Sequence, residues 1–313
     1  MINRVLLRIK IIQLLYSFYK GDGKSIAAAE KELFFSIERT YDLYYHLLLL
    51  SVEITEYAAS RIDNKRNKLR PTEEDLNPNT RFIDNKFVQQ LSQNVQFNEY
   101  LTKQKLSWVN HPDIIKELYD ELIKTDFFTE YMTTEKSSYE ADKDIWRKIY
   151  KKVILQNEEL DSSIEDQSIY WVDDIEIVLS FVIKTIKRFN EEDAENQKLL
   201  PMFRDEEDAD FARKLLRSVL TNGEKYRTLI DENTKNWEID RIAYMDILIM
   251  QVALAELMEF PTIPINVTLN EYIEIAKKYS TERSGTFING VLDNIVGILK
   301  KDNKLIKVMV FND

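Results

Sequence analysis

The sequence contains no cysteine. Disulfides and thiolate metal sites are thereby excluded, and the chain suits a reducing compartment. Glycine and proline are scarce, six of each in 313 residues, where average usage gives about 20 and 15. No glycine falls between Gly23 and Gly223. Tight β-turns need residues that tolerate positive φ, so such a stretch argues for helices joined by polar connections. Histidine occurs twice, as His46 and His111. Neither has carboxylates at ligand spacing, so no metal site is expected, and each reads as an ordinary core or surface residue. No apolar run is long enough to span a bilayer. The longest, 43–54, is broken by His46, Ser51 and Glu53. Charges inside the apolar N-terminus rule out a signal-peptide core. The chain is therefore expected in the cytoplasm, with no membrane segment. Phosphate-binding glycine loops, the H-E-x-x-H pattern, the G-x-S-x-G elbow and cysteine–histidine pairings are all missing. No catalytic residue and no cofactor is expected.

What is present is hydrophobic and charged in helical patterns. Apolar residues make up 44% and charged residues 31%, a globular profile. The formal charge of −11 and pI near 5 argue against a general nucleic-acid binder, since phosphate affinity comes from basic surface. Charge is unevenly spread. Residues 1–20 carry Arg4, Arg8, Lys10 and Lys20 and no acid, whereas acids gather at Glu191-Glu192-Asp193 and Asp205-Glu206-Glu207-Asp208.

Periodicity and capping predict an all-α chain. The first helix spans about 3–19 and stops at Gly21-Asp22-Gly23. The second is capped by Ser25 and runs to about 60, with Leu33, Ile37, Tyr41, Tyr44, Leu48 and Ile54 three or four apart. A polar connection with Pro71 and Pro78 follows. Four helices are expected between 81 and 190: about 82–108, one after His111-Pro112, 139–155 and 167–190. After a polar stretch come helices at about 206–222, 223–233, 238–259, 266–279 and 284–300, with Pro261 and Pro264 breaking the chain. The expected segments are 1–62, 63–204, 205–300 and a basic tail, 301–313.

Two C-terminal runs belong together: Pro264-Ile-Asn-Val-Thr-Leu-Asn270-Glu271-Tyr-Ile-Glu274-Ile-Ala-Lys277 and Phe287-Ile-Asn289-Gly290-Val-Leu-Asp293. In this order they closely resemble the C-terminal signature of the NusB family. The run from Trp237 to Leu257, with Arg241, looks like the family's preceding helix, and Gln13-Leu-Leu-Tyr16-Ser-Phe18 is similar to its N-terminal motif. The resemblance covers about 1–60 and 205–300. It implies a NusB-like pair of packed helical bundles, here with additional helices inserted in the N-terminal half.

The resemblance also implies a function: antitermination of transcription, by binding boxA-type RNA together with the ribosomal protein NusE and acting on RNA polymerase at ribosomal RNA operons. It points to Arg4 and Arg8 as phosphate contacts. They share a helix face at i, i+4, and a solvated face is the alternative. Phe287, flanked by Tyr279 and Arg283, is expected either to stack on an unpaired base or to anchor the core. Tyr16 and Asp246 align with positions near the protein partner. Asn270, Glu271, Asn289, Gly290 and Asp293 form the signature. Asn270 and Glu271 are placed at the start of their helix, and Gly290 where the missing Cβ admits a neighbouring helix. Asn289 and Asp293 read as fold determinants or as ligand contacts. Two further readings stay open: a protein-binding scaffold with little RNA affinity, and the helical domain of a ribosomal RNA methyltransferase, against which the missing cysteine and glycine loop speak.

Overall fold

A computed structural model describes residues 2–21, 25–135, 138–234 and 243–308. Among them the regular structure is helical, and the β-type pairing is one isolated parallel bridge between Ile2 and Phe203. The chain divides into two compact units. A middle unit comprises Glu38–Met202. A terminal unit combines Ile2–Ile37 with the chain from Phe203 onward, so the Ile2–Phe203 bridge joins its two stretches. The predicted 1–62 segment is thus shared between units, because the helix that carries it continues across residue 37.

In the terminal unit, α1 (Arg4–Lys20) begins at Asn3, whose side chain accepts the Leu6 amide at 3.0 Å. It ends at Gly21 as the glycine predicts; 22–24 lie outside the described residues. Its buried positions, Leu6 to Ile12 without a break and then Leu15, go right round the helix, the pattern of an enclosed helix rather than an amphipathic one. α2 (Ile26–Arg66) begins with Ser25 accepting the Ala28 amide and runs 41 residues, six beyond the expected end. α11 (Glu206–Asn233) is capped by Asp205 and has three acids in its first turn, where the helix dipole favours them.

The break predicted at Gly223 is absent: α11 passes straight through. The glycine has a steric reason instead. A Cβ there would lie 2.8 Å from the Tyr19 hydroxyl, and the Gly223 carbonyl accepts from Gln251. α12 (Tyr244–Glu259) is buried from Asp246 through Leu257 and packs against α11 and α13 (Ile265–Tyr279), which in turn packs against α14 (Ser284–Lys301). The 238–243 part of the predicted helix, with Arg241, and Trp237 before it, fall among or beside residues outside the described set.

The middle unit holds the rest of α2, the one-turn α3 (Glu73–Leu76), and α4 (Lys86–Gln93) and α5 (Val95–Gln104), which are split at Asn94. Asn94 caps α5 through Phe97 and donates to the Gln197 carbonyl. α6 (Pro112–Leu122) starts on its proline as predicted. α7 (Asp126–Thr133) and α9 (Glu158–Gln167) are short helices that the apolar periodicity did not signal. α8 (Tyr139–Lys152) and α10 (Ile175–Arg188) pack together at the centre of this unit.

Candidate functional site

The terminal unit gathers the signature residues, and their environments fall into two groups. The first group is internal. Arg8 is only 3% exposed. Its Nε and Nη2 donate to the two oxygens of Glu256 at 2.7 and 2.9 Å, and its Nη1 to Glu271 at 3.2 Å. Glu256, fully buried, also accepts from Thr268 at 2.9 Å and from Tyr272 at 3.0 Å. Burial by itself works against the Arg8 charge, yet the hydrogen bonds and charge of Glu256 hold its guanidinium above the ordinary value. Burial, reinforced by Glu256, pushes the Tyr272 phenol well up. A bidentate arginine–carboxylate pair with every remaining lone pair engaged is the geometry that a buried ion pair needs.

This corrects the expected basic face on α1. Arg8 joins α1 to α12 and α13 and presents no charge to solvent, because α1 is covered on the side that i, i+4 spacing selects. Arg4, one turn earlier, is half-buried. It sits over the Phe211 ring at 5.0 Å and faces Asp208 and Glu207 of the α11 first turn at 3.4 and 3.9 Å. Asp246 is likewise turned inward. It is 4% exposed and accepts from Ser280 at 2.5 Å and Ser284 at 2.9 Å, tying α12 to the turn between α13 and α14. Its position in an apolar run does require a partner, and two serines of its own chain supply it. Glu271 and Asn270 lie in the second turn of α13, not at its start, since the helix begins at Ile265.

The second group faces solvent. Arg283, Asn289, Gly290 and Asp293 are exposed along the turn and the outer side of α14, and Tyr279 and Phe287 are half-buried beside them. The close helix approach expected at Gly290 is not there: a Cβ at that position would meet nothing within 4 Å. It occurs at Gly285, where a Cβ would lie 3.2 Å from Lys277 of α13. Asn289, Gly290 and Asp293 therefore have no visible packing task. Tyr16 is also at the surface, half-buried, with Lys20 donating to its hydroxyl at 2.5 Å and Tyr244 edge-on at 5.8 Å. No group of three or more histidine or carboxylate side chains able to hold a metal ion occurs among the described residues. Nor is any described helix long and apolar enough to cross a membrane.

The terminal unit is thus a helical bundle with internally paired ionisable groups and a polar and aromatic helix face left open. The NusB family profile matches residues 172–297. The transcription antitermination protein NusB of Salinibacter ruber is 39% identical over 132 residues, 40% of this chain and 82% of that protein. Its counterpart in Geotalea daltonii is 48% identical over 89 residues, 28% of this chain and 61% of that relative. The solved structure of T. maritima NusB is 28% identical, with 44% of this chain and 84% of that chain covered and a TM-score of 0.28. The chain belongs to the NusB family, which is not a family of enzymes. The family profile starts within the middle unit and leaves residues 1–60 outside its span.

Proposed function

We propose that this protein is a cytoplasmic transcription antitermination factor that binds boxA-type RNA with the ribosomal protein NusE and acts on RNA polymerase at ribosomal RNA operons. The observation that carries the reading is the open face formed by the α13–α14 turn and α14, which displays the family signature with no packing role for Asn289, Gly290 or Asp293. Arg283 supplies an exposed cation beside the aromatic side chains of Tyr279 and Phe287, the combination that grips a phosphate and stacks an unpaired base. Arg4 is a secondary contact, since a phosphate there must compete with Asp208 and Glu207. Arg8 is excluded from the interface by its burial. Tyr16, next to Lys20 and Tyr244, is the proposed contact to NusE, and Asp246 supports that region only from within.

The test is a titration of boxA-type and scrambled RNA, with and without NusE, against the protein and its Arg283→Glu variant. The expected outcome is tighter binding of boxA RNA in the presence of NusE, and a weaker Arg283→Glu complex whose salt dependence drops by about 0.7 per lost phosphate contact. Equal affinity for scrambled RNA and no enhancement by NusE would refute the reading. It would favour a protein-binding scaffold, to which the internal neutralisation of Arg8 and the net charge of −11 already lend weight.

A further inference from the structure

We propose that the middle unit carries an RNA contact of its own, a cleft between α7 and α8 that takes one unpaired base, flanked by a lysine ridge that takes the adjoining phosphates. The inference rests on the RNA-binding reading above but concerns different residues. The cleft has a volume of about 170 Å³ and is lined by Arg81, Phe127, Glu130, Tyr131, Asp144 and Lys148, among others. The half-buried Phe127 ring offers one aromatic wall to a planar base, while the Tyr131 ring lies buried beneath Arg81. Arg81, whose guanidinium lies over Tyr131 at 4.5 Å and donates to the Thr134 carbonyl, and the Glu130 carboxylate line the edge of the cleft with a donor and an acceptor for the edge of a base. Proteins that read single-stranded RNA combine these two features.

Beside the cleft, α8 exposes Lys148, Lys151 and Lys152, with Arg147 half-buried at the edge of the row. Their spacing of 1, 4 and 5 residues from Arg147 places all four on one side of the helix. The acid of α8 nearest in sequence to the ridge, Asp144, is paired with Arg147. Lys152 lies 5.6 Å above the Phe127 ring, so ridge and cleft are continuous. Lysines in a last helical turn also answer the negative end of the helix dipole. That accounts for Lys151 and Lys152 but not for Lys148, a turn earlier and inside the cleft. The surrounding unit has 32 acidic against 22 basic residues, which makes the ridge a positive island in a repelling field. An acidic peptide would have no use for the Phe127 ring beside the ridge.

The experiment measures fluorescence anisotropy of labelled boxA-type and scrambled single-stranded RNA with the full chain over a range of salt. It compares the protein with Lys148→Gln/Lys151→Gln/Lys152→Gln, with Phe127→Ala and with Arg283→Glu. All carry surface or half-buried changes, and thermal melts check that they fold. The triple variant is expected to lower the salt slope by about 2, three contacts at about 0.7 each, and Phe127→Ala to weaken binding by about tenfold. RNA carrying 4-thiouridine should cross-link within 126–131 or 147–152. An unchanged slope in the triple variant with no such cross-link overturns this inference, while a response of Arg283→Glu alone leaves the proposed function standing. If boxA RNA binds no better than scrambled RNA, that function falls, and the slope for scrambled RNA still decides the ridge: a drop supports it and no change overturns it. Absence of any RNA binding overturns both.

Discussion

Arg8 shows how one residue type serves opposite purposes depending on burial. In solution an arginine on a helix attracts phosphate. Here three of its N–H groups, one on each nitrogen, meet Glu256 and Glu271. Removing one partner of such a pair leaves a buried charge unmatched, which costs about 3–5 kcal/mol. Arg8→Met is accordingly expected to lower the urea midpoint strongly while leaving the salt slope of RNA binding unchanged. A mild loss of stability with a reduced slope would return Arg8 to the interface.

His46 is the second residue whose environment sets its chemistry. It is buried between Trp108, stacked at 4.0 Å, and Trp171 at 5.4 Å. Burial depresses its pKa to about 4, with nearby His111 acting in the same direction and Gln167 against it. Between about pH 4 and the ordinary value near 6.5 the unfolded chain binds this proton and the folded chain does not. Stability is therefore complete above about 6.5 and falls as pH drops toward 4, by up to about 1.4 kcal/mol per pH unit. Urea unfolding at pH 7, 5.5 and 4.5 should show a steeper loss for the protein than for His46→Phe. Parallel losses would mean that carboxylates alone set the slope.

At the scale of the helix, α14 separates residues that pack from residues that merely resemble a packing motif. Ile288, Val291, Leu292 and Ile295 are buried. Gly290 points away from them into open space, so Gly290→Ala removes only backbone freedom. It should stabilise the helix by about 0.5–1 kcal/mol. Gly285→Ala places a Cβ 3.2 Å from the Lys277 side chain and should bring no such gain. Thermal melts of the two variants distinguish them, and equal effects would contradict the assigned packing. If Gly290→Ala also weakens complex formation, its exposed surface is the reason.

At the scale of the whole chain, the net charge has an address. The middle unit holds 32 acids and 22 bases, the remainder of the chain 22 and 21. Self-repulsion is thus a property of one unit. Salt screens it, since the Debye length falls from about 10 Å at 0.1 M to about 3 Å at 1 M. Hydrogen exchange at rising salt should show protection increasing more in 38–202 than in the terminal unit. A uniform response would place the destabilising charge elsewhere.

Much of this architecture was legible in one dimension. Local signals act over three or four residues, so the cap at Ser25, the stop at Gly21 and the proline start of α6 follow from residue type. The paired runs around Asn270 and Asn289 identify the family because their order and spacing are themselves sequence properties. Nothing in the sequence signals α7 and α9, too short for periodicity to register, and Gly223 misleads, since a glycine beside the Tyr19 hydroxyl imitates a stop. Only the tertiary structure decided which charged residues face solvent. Side-chain exposure depends on what covers each side of a helix, and α1 is covered all round from Leu6 to Ile12. A face read from i, i+4 spacing says that Arg4 and Arg8 lie together, not whether water or Glu256 lies beyond them. The sequence by itself determined the helices and the family. Burial, a long-range property of packing, decided that Arg8 and Asp246 hold the fold together while Arg283, Asn289 and Asp293 face solvent.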